Sequence, residues 1–186
     1  MILLGLDPGL RRTGWGVIAM DGNRLRHIAS GTVATDPAAA IAERLRVLHE
    51  GLVAAIECHR PDEAAIEETF VNRNPASALK LGLARGVVLL APARAGLPVA
   101  EYAPNRVKKA LVGVGHAQKQ QVAAMVAVLL PDARPAGPDA ADALAVAICH
   151  AHYRGTPAAR LEALAAGDPG VGQSGASSGT GAGRHP

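Results

Sequence analysis

Before any helical period appears, the chain runs through three strand-length stretches separated by turn residues, and that order limits its folds most. Residues 2–6, Ile2-Leu3-Leu4-Gly5-Leu6, are a continuous apolar run closed by the turn Asp7-Pro8-Gly9. Gly14-Trp15-Gly16-Val17-Ile18-Ala19-Met20 reads as a second strand. Asp21-Gly22-Asn23 then turns the chain into a third, over 24–33. Strands this close in sequence pair with their neighbours, so an antiparallel meander is expected.

The period then changes. Over 37–59, Ile41, Leu45, Leu48, Leu52 and Ile56 recur at three- and four-residue steps, which predicts a helix. Pro61-Asp62 ends it, and 63–67 reads as a short buried strand. Residues 70–74 read as a polar loop. A second helix is expected over 75–95, stopped by Gly96 and Pro98, followed by a strand at 99–102. Helices are expected over 105–112, 119–130 and 139–152, with a Gly-rich loop at 113–118. The order β-β-β-α-β-α-β-α-α-α calls for a mixed five-stranded sheet flanked by helices, an α/β fold.

A chain of 186 residues suits one domain with a tail. The domain is expected over 1–154 and a C-terminal extension over 155–166. From 167 to 186 the chain is mostly Gly, Ser and Ala, and disorder is expected there. With 49% apolar residues and almost no aromatics, Ala, Leu and Val must build the core. The net charge of +3 permits an anionic partner without requiring one. Cys58 and Cys149 lie in helical patterns and read as small buried apolar residues. His150 and His152 read as surface or helix-end residues. Asp7 breaks the first apolar run, which argues against a signal peptide, and no stretch suited to crossing a bilayer is expected. The expectation is a soluble, cytoplasmic protein without a membrane partner.

Acids stand where strands end and a helix begins. Asp7 follows the first apolar run, Glu67 follows Ala64-Ala65-Ile66, and Asp139 and Asp142 open an Ala-rich helical stretch. Each has an ordinary alternative. Asp7 suits a turn, Glu67 or Glu68 a polar strand end, Asp139 an N-cap and Asp142 a first-turn acid. Adjacent strand residues point to opposite faces, so only one of Glu67 and Glu68 can share a site with Asp7; Glu67 is the choice. Asp139 and Asp142, three apart, project within about 60° of each other on a helix. Carboxylates gathered together need positive charge among them. Two Mg²⁺ ions would supply it and would bring phosphoryl-transfer chemistry.

These residues also resemble a family. Gly5-Leu6-Asp7-Pro8-Gly9 with Thr13-Gly14-Trp15-Gly16-Val17 is similar to the opening of RuvC-type Holliday-junction resolvases. So is Ala65-Ile66-Glu67-Glu68-Thr69-Phe70, and the likeness runs on through 74–86, Glu101-Tyr102, Val107-Lys108, Gly113-Val114-Gly115 and Lys119. It ends in Asp139-Ala140-Ala141-Asp142-Ala143-Leu144-Ala145 and covers roughly 1–154 in order. The pair before Gln118-Lys119 departs from the family's usual Ser-Ala or Arg-Ala, being His116-Ala117.

The resemblance implies an RNase H-like fold and a homodimer that cuts four-way junction DNA by paired symmetric incisions. It implies 5′-phosphate and 3′-hydroxyl nicks, a role in recombination and repair, and cooperation with a RuvA–RuvB motor. Catalytic and metal-binding roles fall on Asp7, Glu67, Asp139 and Asp142, with two Mg²⁺ per site and Mn²⁺ as a substitute. Phe70 matches a base-contacting aromatic, and Lys108 and Lys119 match basic residues near the scissile phosphate.

Read physically, Phe70 beside Arg73 and Asn74 could stack on an unpaired base or plug the core's edge. Arg73, Lys80, Arg85, Lys108, Lys109 and Lys119 could track phosphates, though each alone could be a solvated charge. Lys119 opens a helix, where the dipole disfavours a cation, and that placement suggests a nearby phosphate. Gly82 and Gly86, with Ala78, Ala84 and Ala91, make the 75–95 helix smooth enough for close packing on the sheet or on a second copy. Two other functions stay open at this point. A sugar-kinase or actin-like ATPase would need a second domain, and a non-catalytic junction binder would leave the acids only structural roles.

Overall fold

A computed structural model describes residues 1–68 and 74–154, and its first unit is Met1–Tyr153. The elements are β1 (Ile2–Asp7), β2 (Arg12–Asp21), β3 (Arg24–Ala34), α1 (Ile41–His59), β4 (Glu63–Glu67), α2 (Pro75–Arg94), β5 (Val99–Tyr102), α3 (Pro104–Val112), α4 (Lys119–Leu129) and α5 (Pro138–Tyr153). The order is the one expected. Helix α1 starts four residues later than its periodicity suggested. Asp36 bends the chain there, its side chain accepting from the Ala38 N–H at 2.9 Å.

One sheet holds the strands in the order β3-β2-β1-β4-β5. The first three form the meander, β2 pairing antiparallel with both β1 and β3. Strand β4 runs parallel to β1, and β5 parallel to β4. The last residues of β1 and β4 therefore end side by side at the centre of the sheet, with Leu6 opposite Ile66.

Alternation along the strands assigns residues to faces. Leu3, Ile18 and Ala65 pack with the residues of α3, α4 and α5. Leu4, Leu6, Val17, Ala64 and Ile66 pack against α1 and α2. Because side chains alternate, Asp7 shares the parity of Leu3 and Gly5, and Glu67 that of Ala65. Both acids thus belong to the α5 face.

Helix α5 is the central helix and reaches the backbone itself. A Cβ on Gly5 would lie 2.1 Å from the Ala143 carbonyl oxygen, and one on Gly14 only 1.9 Å from that of Asp139. With Ala140, Ala143 and Ala147 buried on the helix side, small meets small and the helix seats directly on β1 and β2.

Other expectations need correcting. His150 is buried, not superficial: its Nδ1 lies 2.9 Å from the Tyr102 hydroxyl and its Nε2 2.9 Å from Glu63 Oε2. Those partners make a polar histidine tolerable in a core. Cys149 is buried, and burial pushes its thiol up to about 12, but Cys58 is exposed. Helix α2 is, by length and composition alone, apolar enough to cross a membrane, contrary to expectation. It carries Lys80 and Arg85 and packs one side on α1, β4 and β5.

Candidate active site

The central strands, the packed helix and the loop after β1 each set one part of the site. Thr13 is fully buried and ties the turn behind Asp7: its Oγ1 donates to the Gly9 carbonyl at 2.7 Å. Buried Arg44 and Thr35 hold the same connection from the side of α1. The Thr35 hydroxyl donates to the Leu10 carbonyl at 2.6 Å, and Arg44 Nε donates to Thr35 Oγ1 at 3.0 Å. Asp7, at the end of β1, is thus followed by a connection tied down by buried side chains.

Glu67, at the end of β4, is close enough to Asp7 for the two carboxyls to act on each other's titration. Two neighbouring carboxylates disfavour each other's charged form. Burial first, then the charges of Glu67, Asp142 and Asp139, raise Asp7 to about 7; Lys119 pulls the other way. Burial and Asp142 likewise raise Glu67, against Lys119, Lys108 and the neighbouring Asp7 carboxyl.

The helix pair is held differently. Helix α5 begins at Pro138, with the Ala141 N–H bonded to the Gly137 carbonyl at 3.2 Å, so Asp139 lies in the first turn and is not the N-cap. Its Oδ2 accepts from Arg12 Nε at 2.8 Å. One turn on, Asp142 Oδ2 accepts from Lys119 Nζ at 2.8 Å. The hydrogen bond that Lys119 donates to Asp142 is the main influence raising Lys119, with Asp7 and Glu67 adding to it. The cation at the start of α4 is therefore answered by these acids. The Gln121 side chain accepts from the Gln118 N–H at 2.8 Å and closes that helix start.

Electrostatically, then, Asp139 and Asp142 both act on Asp7, and Asp142 acts on Glu67 as well. The four acids are not gathered to ligand distance: among the described residues no three His, Cys, Asp or Glu side chains form a group that could hold a metal ion. The two observations agree, because charge acts over several ångströms, whereas a Mg²⁺ ligand must come to about 2.1 Å. Two of the acids are turned toward Arg12 and Lys119 instead.

The chain matches the family model described as "Crossover junction endodeoxyribonuclease RuvC" over residues 3–150. A protein of that name from Paramagnetospirillum magneticum is 62% identical over 165 residues, 89% of this chain and 99% of the relative. Another, from Rhizobium rhizogenes, is 60% identical over 163 residues, covering 88% and 96%. The chain belongs to the RuvC family. It is a nuclease acting on DNA, of the Holliday-junction-resolving class. A solved RuvC structure from Thermus thermophilus superposes with a TM-score of 0.75 at 38% identity, covering 87% of this chain and 97% of that one. The T. thermophilus RuvC complex with a Holliday junction substrate gives 0.76 at 40%, over 83% and 94%. The five-stranded mixed sheet is thus the RNase H-like sheet of the RuvC family.

The remaining expected contacts divide. Lys108 is close enough to act on Glu67. Lys80 is exposed on α2. Arg85 donates to Glu101 on β5. Asn74 caps α2, its side chain accepting from the Ala76 N–H at 2.9 Å. Phe70 and Arg73 lie outside the described residues. Sequence reasoning missed Arg12 and Arg44. The Arg11-Arg12 pair, so soon after Asp7-Pro8-Gly9, was the available signal for the first.

Proposed function

We propose that the chain resolves Holliday junctions as a homodimer, each protomer hydrolysing one phosphodiester bond on symmetric strands to leave 5′-phosphate and 3′-hydroxyl ends. The reading is carried by one observation: Asp7, at the end of β1 beside β4, feels the charges of Glu67 from β4 and of Asp139 and Asp142 from α5.

Four carboxylates make a hard, all-oxygen donor set that fits Mg²⁺, with Mn²⁺ as a substitute. The proton that Asp7 retains near neutrality fits as well, since it marks negative charge that a cation would balance. Asp7, Glu67, Asp139 and Asp142 would hold two such ions. When bound, they would supply an activated water and a counter-charge for the leaving oxygen. The chain's own part is to orient. The Thr13 staple fixes where Asp7 sits, the seat of α5 fixes Asp139 and Asp142, and Lys108 and Lys119 bring positive charge to the strand being cut. Phe70, Arg73, Asn74, Lys80 and Arg85 complete the proposed junction-binding set. Phe70 follows Glu67 by three positions and suits stacking on an unpaired base.

The dimer reading has its own support. Leu79, Leu83 and Leu90 are 68%, 41% and 48% exposed, and a Cβ on Gly82 or Gly86 would meet nothing within 4 Å. At about 100° per residue these positions share one face of α2, opposite buried Ala84, Val88 and Ala91. An uncovered apolar face with two glycines suits the same face of a second copy, and two-fold pairing would place two sites on a near two-fold junction. We assign the protein to the cytoplasm, to recombination and repair, and to work with a RuvA–RuvB complex. Residues 1–154 are the proposed nuclease domain, with 155–166 an extension and 167–186 a tail.

The test is a Mg²⁺-dependent nicking assay on a labelled four-way junction. Asp7→Asn is expected to bind the junction and remain dimeric while losing about 10³-fold or more in cleavage, beyond the 10–100-fold typical of removing a residue behind a metal ligand. Normal cleavage by that variant would sink the assignment.

A further inference from the structure

Arg12 is the cation of the site that the roles above leave unused. It opens β2, two residues before Gly14, which pairs with Asp7. Its Nε holds Asp139 at 2.8 Å, and its Nη2 lies 3.7 Å from where a side chain on Gly137 would start. The guanidinium thus lies along the start of α5. Its side chain is 51% exposed and that of Asp139 27%.

An ion pair that open to water adds little stability, and Asp139 in the first turn of α5 is already favoured by the helix dipole. Holding the fold together is therefore a poor explanation for Arg12. The pairing is weak enough to exchange, and the carboxylate it occupies is one of the proposed metal ligands. A guanidinium offers five N–H donors in a planar fork that matches a phosphate.

We propose that Arg12 is a latch and a substrate contact. It holds Asp139 until a divalent cation takes that carboxylate, and the released guanidinium then binds a backbone phosphate of the junction strand lying over the acids. This rests on the metal-dependent reading above. It makes Arg12 a competitor for metal in the free protein and a contributor to DNA affinity in the complex, two effects of opposite sign from one residue.

Arg12→Gln and Arg12→Lys separate them. The first measurement is Mn²⁺ binding to the free full-length protein by electron paramagnetic resonance. The second is junction affinity across a salt series, with Ca²⁺ in place of Mg²⁺. Arg12→Gln is expected to bind Mn²⁺ about two- to fivefold more tightly, the range an exposed ion pair supplies. It should hold the junction more weakly, with the slope of log affinity against log salt shallower by about 0.9 for each phosphate no longer neutralised. Arg12→Lys should restore most of the slope, because it keeps the charge. A purely structural role would change melting temperature and leave the slope alone. Unchanged Mn²⁺ affinity in Arg12→Gln overturns the latch, and an unchanged salt slope overturns the phosphate contact. If the wild-type protein takes up no Mn²⁺, the metal reading itself fails, a result separate from either.

Discussion

The two pairs of acids reach the same place by different means. Asp7 and Glu67 come from neighbouring strand ends, and burial is the largest influence on both. Asp139 and Asp142 come from one helix turn, and each is paired with a cation that is mostly or half exposed, Arg12 and Lys119. The strand pair is fixed by the sheet register and has nowhere else to point. The helix pair depends on how closely α5 seats, and its partners are ones that water could replace. A site built this way has a rigid half that carries the electrostatic strain and an exchangeable half that answers to charge.

Breaking the seat should have the largest effect. In Gly14→Val the new side chain would start 1.9 Å from the Asp139 carbonyl, against backbone that cannot rotate away. Helix α5 must lift, carrying Asp139 and Asp142 off the strand pair. A loss of about 3 kcal/mol or more is expected, at the upper end for overpacked sites. Thermal melts and the nicking assay check it; wild-type stability with wild-type cleavage would show that the seat is not what assembles the site.

The strand pair makes the opposite prediction, that removing a functional acid stabilises. Asp7 titrates at about 7 in the folded protein against an ordinary value of 3.8, so between about pH 4 and 7 the folded protein holds a proton that the unfolded chain has lost. Stability therefore falls as pH rises through that window, and the penalty is complete above it. In metal-free buffer Asp7→Asn should be more stable than wild type at pH 8 by on the order of 1–3 kcal/mol, since each tenfold change in proton affinity is worth ~1.4 kcal/mol and the site is partly open. The difference should vanish near pH 4. Added Mg²⁺ should raise the wild-type melting temperature more than that of the variant. Denaturation at several pH values decides it, and a gap that widens toward acid would contradict the burial of a charged Asp7 as its cause.

The sequence made the strand half more legible than the helix half. An apolar run ending in an acid marks a strand end wherever it occurs, and the parity of Leu3, Gly5 and Asp7 can be counted. The seat was hidden because glycine inside a strand reads as a weakness until something is known to press on it, and what presses on Gly5 and Gly14 lies more than a hundred residues away. The same distance concealed His150, whose partners Tyr102 and Glu63 are 48 and 87 positions off. Helix α2 was ambiguous for a different reason. Nearly every residue in it is apolar or small, so its period could not say which face is covered. Arg12 looked like one surface cation among many, because an ion pair leaves no trace in local spacing.

The smallest effect tests whether the two halves communicate. Lys119 pairs directly with Asp142, yet its charge also lowers Asp7 and Glu67. Its side chain is 77% exposed, so Lys119→Gln should alter stability by less than ~1 kcal/mol. Without that charge, however, nothing from α4 offsets the push that Asp142 exerts on the strand pair. The Asp7 titration, followed by carboxyl carbon NMR in metal-free buffer, should move upward from about 7, and Glu67 should follow in the same direction. An unmoved Asp7 midpoint would mean that each pair is compensated on its own. The exchangeable half would then respond to cations without altering the charge state of the rigid one.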